Sequence, residues 1–180
     1  MNRVAKFSLT AAAMAGIATL SLAARPAQQS DEPVRAALLA AVDDEYLAEA
    51  TYQAVLDKYG DVRPFSNIIQ AERRHQQMVK AELDRRSWSY PANRYTGKIA
   101  APASMLEACQ TGVKAEVANI ALYDRLLPTI DDPAAKDVLT RLQWASRENH
   151  LPAFQRCVDR GGFPGMGPGG GSGRRGGWQG

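Results

Sequence analysis

Phe65-Ser-Asn-Ile-Ile-Gln-Ala-Glu-Arg-Arg-His75 decides how the chain folds. Read as a helix, the stretch puts Phe65, Ile68 and Ile69 on one face, and Glu72 and His75, three residues apart, continue that face. Val79 and Leu83 then resume it, so the run from about Pro64 to Arg86 is an amphipathic helix with a carboxylate and an imidazole set into its apolar stripe. Pro64 suits a first turn.

The same pattern recurs on both sides of this helix. From Pro33 to Tyr59, Leu38, Ala41, Val42, Ala48, Tyr52, Val55, Leu56 and Tyr59 recur at three- and four-residue steps, and Gly60 stops the run. Downstream, Ser104-Met-Leu-Glu107 has the Ser-x-x-Glu form of a capping box. It opens a third helix with Leu106, Cys109, Val113, Ile120, Tyr123 and Leu127 inward, ended by Pro128. Asp132-Pro133 reads as the N-cap and first residue of a fourth, with Leu139, Leu142, Ser146, Ala153, Phe154 and Cys157 inward. Pro152 removes a backbone donor and predicts a kink there. Between the second and third helices, residues 87–102 lack helical periodicity and contain Pro91, Asn93 and Gly97. No segment alternates with period two between hairpin signals. The expected fold is an all-α, antiparallel four-helix bundle over residues 33–160, with a longer connection between helices 2 and 3.

Each apolar stripe is broken by polar residues. Glu45 lies between Val42 and Ala48; Glu72 and His75 between Ile69 and Val79; Glu116 between Val113 and Ile120; His150 between Ser146 and Phe154. An unpartnered buried carboxylate costs several kcal/mol or is neutralised, so these interruptions need a shared cause. In an antiparallel hairpin, residues at one height are equidistant from the turn. The midpoint of Glu45 and His75 is residue 60, at the turn Lys58-Tyr59-Gly60, and that of Glu116 and His150 is residue 133, at the turn between Pro128 and Pro133. Both pairs therefore face across their own hairpins, at one level of the bundle. Taken singly, each is an ordinary satisfied core polar group; converging together, Glu45, Glu72, His75, Glu116 and His150 are a candidate metal site. Carboxylates mixed with imidazoles suit iron, manganese or zinc.

The cysteines obey the same arithmetic. Cys109 and Cys157 also have residue 133 as midpoint, so a disulfide between the third and fourth helices competes with a pair of buried free thiols. The N-terminus favours the disulfide. Arg3 and Lys6 precede an uncharged run, Phe7 to Leu22, and Ser21-Leu22-Ala23 offers small residues at a processing site. That is the layout of a secretory signal peptide over residues 1–23, with an uncleaved anchor as the alternative. Removal would leave a linker over 24–32 and an exported protein, periplasmic or secreted, with no stable membrane insertion. Residues 161–180 hold most of the glycines with an Arg pair and Trp178. They are expected to be a disordered, solvated tail rather than a dock for an acidic partner.

The chain has 180 residues, with 22 Lys and Arg against 19 Asp and Glu. Four of the basic residues lie in the two terminal segments, which hold no acids, so the central region carries no basic excess and gives no electrostatic case for nucleic-acid binding. Neither a nucleophile triad nor a phosphate-binding loop is visible.

A Glu on helix one, Glu-x-x-His on helix two, a Glu on helix three and a His on helix four resembles the ferritin-like di-iron carboxylate proteins, rubrerythrin among them. The closer resemblance is to the ferritin-like group called domain of unknown function 2202. It is carried by Asp43-Asp-Glu-Tyr-Leu-Ala-Glu-Ala-Thr-Tyr52, Phe65 to His75, Gly112-Val-Lys-Ala-Glu116 and Asn149-His-Leu-Pro-Ala-Phe154, within about Ala36 to Val158. The resemblance implies iron, one ion or two, held by Glu45, Glu72, His75, Glu116 and His150. It departs from the full pattern where Arg147 stands in place of a second bridging Glu, and a guanidinium there would disfavour a second cation. Glu49 and Asn119 are possible substitute ligands. Tyr52 and Tyr123, each seven residues after an inward Glu, are candidate catalytic phenols, groups behind the ligands, or plain core tyrosines. The function implied is ferrous iron oxidation or peroxide reduction, with metal ion and oxygen or peroxide as partners and a homodimer as an open assembly. The alternative is a metal-binding or structural bundle without turnover.

Overall fold

The computed structural model describes residues 31–163; the expected signal peptide and the tail from residue 164 lie outside them. Among the described residues the fold is all-helical, a four-helix bundle. Helix α1 spans Glu32–Tyr59, α2 Phe65–Arg85 and α3 Met105–Leu126, followed by a 3-10 turn, Leu127–Thr129. The fourth rod comprises α4 (Pro133–Ala145), a π-helical turn (Ser146–His150) and α5 (Leu151–Asp159). Among these residues no helix is long and apolar enough to cross a membrane.

The caps form where the sequence places them. Ser104 Oγ accepts from the Glu107 N–H at 3.2 Å, and Glu107 reaches back to the N–H of Ala103 at 2.9 Å, one residue earlier than the reciprocal bond of a capping box. Asp132 accepts from the Ala135 N–H at 2.8 Å and also pairs with Arg86, which caps the C-terminus of α2, and this ties the two halves together. At the C-terminal ends the structure departs from expectation. Residues Gly161 and Gly162 do not belong to the tail: Gly162 donates to Cys157 O and Gly161 to Val158 O, closing α5 with paired 6→1 and 5→2 bonds. Both have positive φ, 65° and 82°, which a glycine adopts without cost.

Helix α2 ends the same way, with Trp88 donating to Leu83 O and Ser87 to Asp84 O, but the left-handed position is held by Ser87 at φ 57°. A side chain there costs roughly 1 kcal/mol against glycine. The expected result of Ser87→Gly is thus a gain of about 0.5–1 kcal/mol in urea unfolding, with the slope unchanged.

Two apolar clusters sandwich the middle of the bundle. One contains Leu38, Val42, Val79, Leu83, Leu139 and Leu142; the other contains Val55, Phe65, Ile69, Cys109, Phe154 and Cys157. Each large side chain so buried contributes about 1.5–3 kcal/mol. In the second cluster the Phe154 ring lies against α3 where Gly112 has no side chain; a Cβ there would stand 2.5 Å from the ring. This close approach brings Cys109 and Cys157 together, and they are joined as a disulfide. Closing a loop with 48 residues of separation restricts the unfolded chain by about 4 kcal/mol. We expect Cys109→Ser/Cys157→Ser to lower unfolding free energy by about 2–4 kcal/mol, and reductant to lower the wild-type denaturation midpoint but not that of the double variant.

The expected long connection follows α1 closely. Tyr46 donates to Pro91 O at 3.1 Å, Arg94 and Tyr95 bind Asp43 at 2.8 and 2.9 Å, and Lys58 and Tyr59 reach Pro102 O.

Candidate metal centre

Between the two apolar clusters the four rods bring Glu45 of α1, Glu72 and His75 of α2, Glu116 of α3 and His150 of the π turn together, all buried. They form two trios, Glu45–Glu72–His75 and Glu72–Glu116–His150, each with ligand atoms within 4.8 Å of one another. Glu72 belongs to both. Its Oε2 lies 3.0 Å from His75 Nδ1 and its Oε1 lies 3.1 Å from His150 Nδ1. Glu45 Oε2 stands 3.3 Å from His75 Nδ1, and Glu116 Oε2 stands 3.5 Å from His150 Nδ1. The two imidazoles are stacked, with ring centroids 5.6 Å apart.

Tyr52 and Tyr123 complete an exchange between α1 and α3. Tyr52, on the helix of Glu45, donates to Glu116 at 2.6 Å, and Tyr123, on the helix of Glu116, donates to Glu45 at 2.8 Å. Burial, then the neighbouring carboxylates, pushes both phenols far above their ordinary pKa, so they remain donors. Each therefore fixes a carboxylate by leaving one oxygen free to face an imidazole.

Charge balance in the cluster is lopsided. Burial opposes charge on His75, but Glu45 and Glu72 outweigh it and push His75 up to about 9. Burial likewise opposes His150, and Glu116 and Glu72 push it up to about 10. Glu72 is raised by burial, but His150 and His75 more than offset that and hold it well below the carboxylate range. Glu45 is pushed well above that range by burial and by Glu72. One polar atom is left over. His150 Nδ1 sits beside two carboxylates, yet its geometry aligns with neither, and it is a buried nitrogen without a hydrogen bond. A metal ion would satisfy it, so the residues present fit one.

The π turn corrects the sequence reading of Arg147. On a regular helix Arg147 lies about 60° from His150, near its face; here Leu151 N–H bonds to Ser146 O, the turn is one residue wider, and Arg147 swings outward while Ser146 stays inward with His150, as its spacing predicts. Arg147 is exposed and pairs with Asp124 at 3.2 Å. Among the described residues, no arginine forms an ion pair with any of the five candidate ligands. Arg147→Ala is accordingly expected to leave metal stoichiometry at the wild-type value, measured by elemental analysis of the loaded protein. The irregularity ends beside Pro152, which has no N–H to continue an α-helical ladder.

The two substitute ligands lie outside both trios. Glu49 is held by Arg73 and Gln76, each at 2.8 Å. Asn119 accepts from Ser146 at 2.6 Å and donates to Asp44. Asp44 and Gln76 escaped the sequence reading. Each sits one residue from a ligand, 100° around its helix, where periodicity places a boundary rather than a core position.

No family model matches the chain, and no curated protein does. Among solved structures, a hypothetical protein from Methanococcus jannaschii is similar over 77% of this chain and 86% of its own, with a TM-score of 0.67 and 24% identity. At that identity the likeness shows a shared fold and nothing of function.

Proposed function

We propose that this is an exported, ferritin-like metal-binding protein of the di-iron carboxylate type, related to the domain of unknown function 2202 group, that oxidises ferrous iron or reduces peroxide. The observation that supports this reading best is the pair of trios sharing Glu72, with one imidazole in each, where the buried His150 Nδ1 lies against two carboxylates without a hydrogen bond. Three carboxylates and two imidazoles suit iron, with manganese and zinc as competitors. Bound as a ferrous pair, iron would supply the two electrons that reduction of peroxide to water consumes. Glu45, Glu72, His75, Glu116 and His150 would hold the ions, while Tyr52 and Tyr123 orient Glu116 and Glu45 and have protons to give. The apolar clusters on either side exclude bulk water. The disulfide accords with export to an oxidising compartment.

The test is elemental analysis after anaerobic Fe(II) loading, followed by optical spectra on adding oxygen or peroxide. About two irons per chain and new ligand-to-iron absorption support the oxidoreductase. Metal uptake with no reaction moves the reading to a structural metal site, and absence of uptake rejects the ligand assignment.

A further inference from the structure

A cavity of about 330 Å³ opens between α1 and α3, and one of its lining residues is the candidate ligand Glu116. Ala48, Thr51 and Ala115 form part of its wall, and Tyr52 lies beside Glu116. Asp44 lines the same cavity. Its Oδ2 accepts from Asn119, which leaves Oδ1 for a ligand. Asp44 and Glu116 thus place two carboxylates in succession along the cavity, and His150 lies behind Glu116. Lys114 is the basic group on the lining, and it is exposed.

This arrangement repels anions and draws cations. Volume decides in what form: at roughly 30 Å³ per water, six waters occupy about 180 Å³, so a fully hydrated ion fits within the cavity. The small walls of alanine and threonine do not force it to shed water early. We propose that this cavity is the route by which a divalent cation reaches the centre, with Asp44 as the transit ligand that takes the hydrated ion and passes it to Glu116 and His150. The inference rests on the metal-binding reading above and adds a residue and a path to it. Asp44 holds the ion only in passage, because Asn119 ties it outside both trios. The Ser146 hydroxyl, at the start of the π turn, anchors Asn119 in turn and so steadies the path.

The experiment uses the disulfide-bonded, metal-free chain and Co(II) alone as probe, with uptake followed by visible absorption in stopped flow and final occupancy by elemental analysis. Asp44→Asn keeps an acceptor for Asn119 while removing the charge; it should slow uptake about tenfold at the same final occupancy. Thr51→Phe, which narrows the cavity, should slow it comparably. Lys114→Glu should accelerate uptake severalfold at an unchanged melting temperature, which separates the charge effect from a loosened fold. Uptake at wild-type rate in all three variants overturns the route. Loss of final occupancy in Asp44→Asn overturns the transit role, since Asp44 would then be a resident ligand. A wild-type chain that takes up no Co(II) rejects the metal reading itself, and the route with it.

Discussion

Glu72→Gln should abolish tight binding at both metal positions, whereas Glu45→Ala and Glu116→Ala should each remove one. The asymmetry follows from Glu72 giving one carboxylate oxygen to each imidazole, so it belongs to both trios. Without it, each position keeps one carboxylate and one imidazole, too few to hold a transition metal against water. An amide of the same shape leaves the packing intact but offers a weak neutral donor, so the loss of affinity should exceed roughly a hundredfold per ion. Two measurements separate this from unfolding. Elemental analysis should fall from about two ions per chain to none, and metal should raise the melting temperature of the wild type but not of the variant, because only ligand that binds the native state stabilises it. Retention of one tight ion by Glu72→Gln would show that a single trio closes without the shared carboxylate, and the bridging assignment would be wrong.

What the sequence made legible here was periodicity, and what it hid was its local failure. Helix faces, caps at Ser104 and Asp132, and the heights of Glu45, Glu72, His75, Glu116, His150 and the cysteines all follow from 3.6-residue spacing and distance from a turn, which hold wherever the helix is regular. At Ser146–His150 it is not regular. A wider turn displaces the residue inside it, so Arg147, close to His150's face on a regular wheel, faces solvent instead, while Leu139, Leu142 and Ser146 keep their inward positions. Pro152 marked the irregularity without saying which residue would be displaced. The cross-helix exchange, Tyr52 to Glu116 and Tyr123 to Glu45, was hidden for a different reason. Spacing tells which residues share a face on one helix, but partners on the neighbouring helix depend on packing, which no single stripe reports. Gly161 and Gly162 hold the conformation of a helix terminus, which composition alone does not separate from the glycine-rich sequence beyond them.

Metal-free protein should lose stability as pH rises above neutrality, and metal should restore it increasingly. In the unfolded chain an imidazole titrates near 6.5. In the folded, metal-free protein His75 is pushed up to about 9 and His150 to about 10, so both contribute stability that is fully present below about pH 6.5 and is lost as pH climbs through those values. Between about pH 6.5 and 9 the folded state holds roughly one more proton per imidazole than the unfolded state, a loss of about 1.4 kcal/mol per pH unit for each. Glu45, raised by burial and by Glu72, acts in the same direction; Glu72, held low, matters only on the acid side, where its protonation removes support for both imidazoles. Metal binding runs against this gradient. Each ion must displace the proton of its own imidazole, so per-ion affinity should rise about tenfold per pH unit from about pH 6 to 8, with about one proton released per ion from histidine. Calorimetric Zn(II) titrations in buffers of differing ionisation enthalpy count those protons, and melting curves with and without Zn(II) across the same range read the stability. A metal-free melting temperature that holds level or climbs between about pH 6.5 and 9 would mean that the two imidazoles are neutral in the folded protein, and that its carboxylates are balanced by protons of their own.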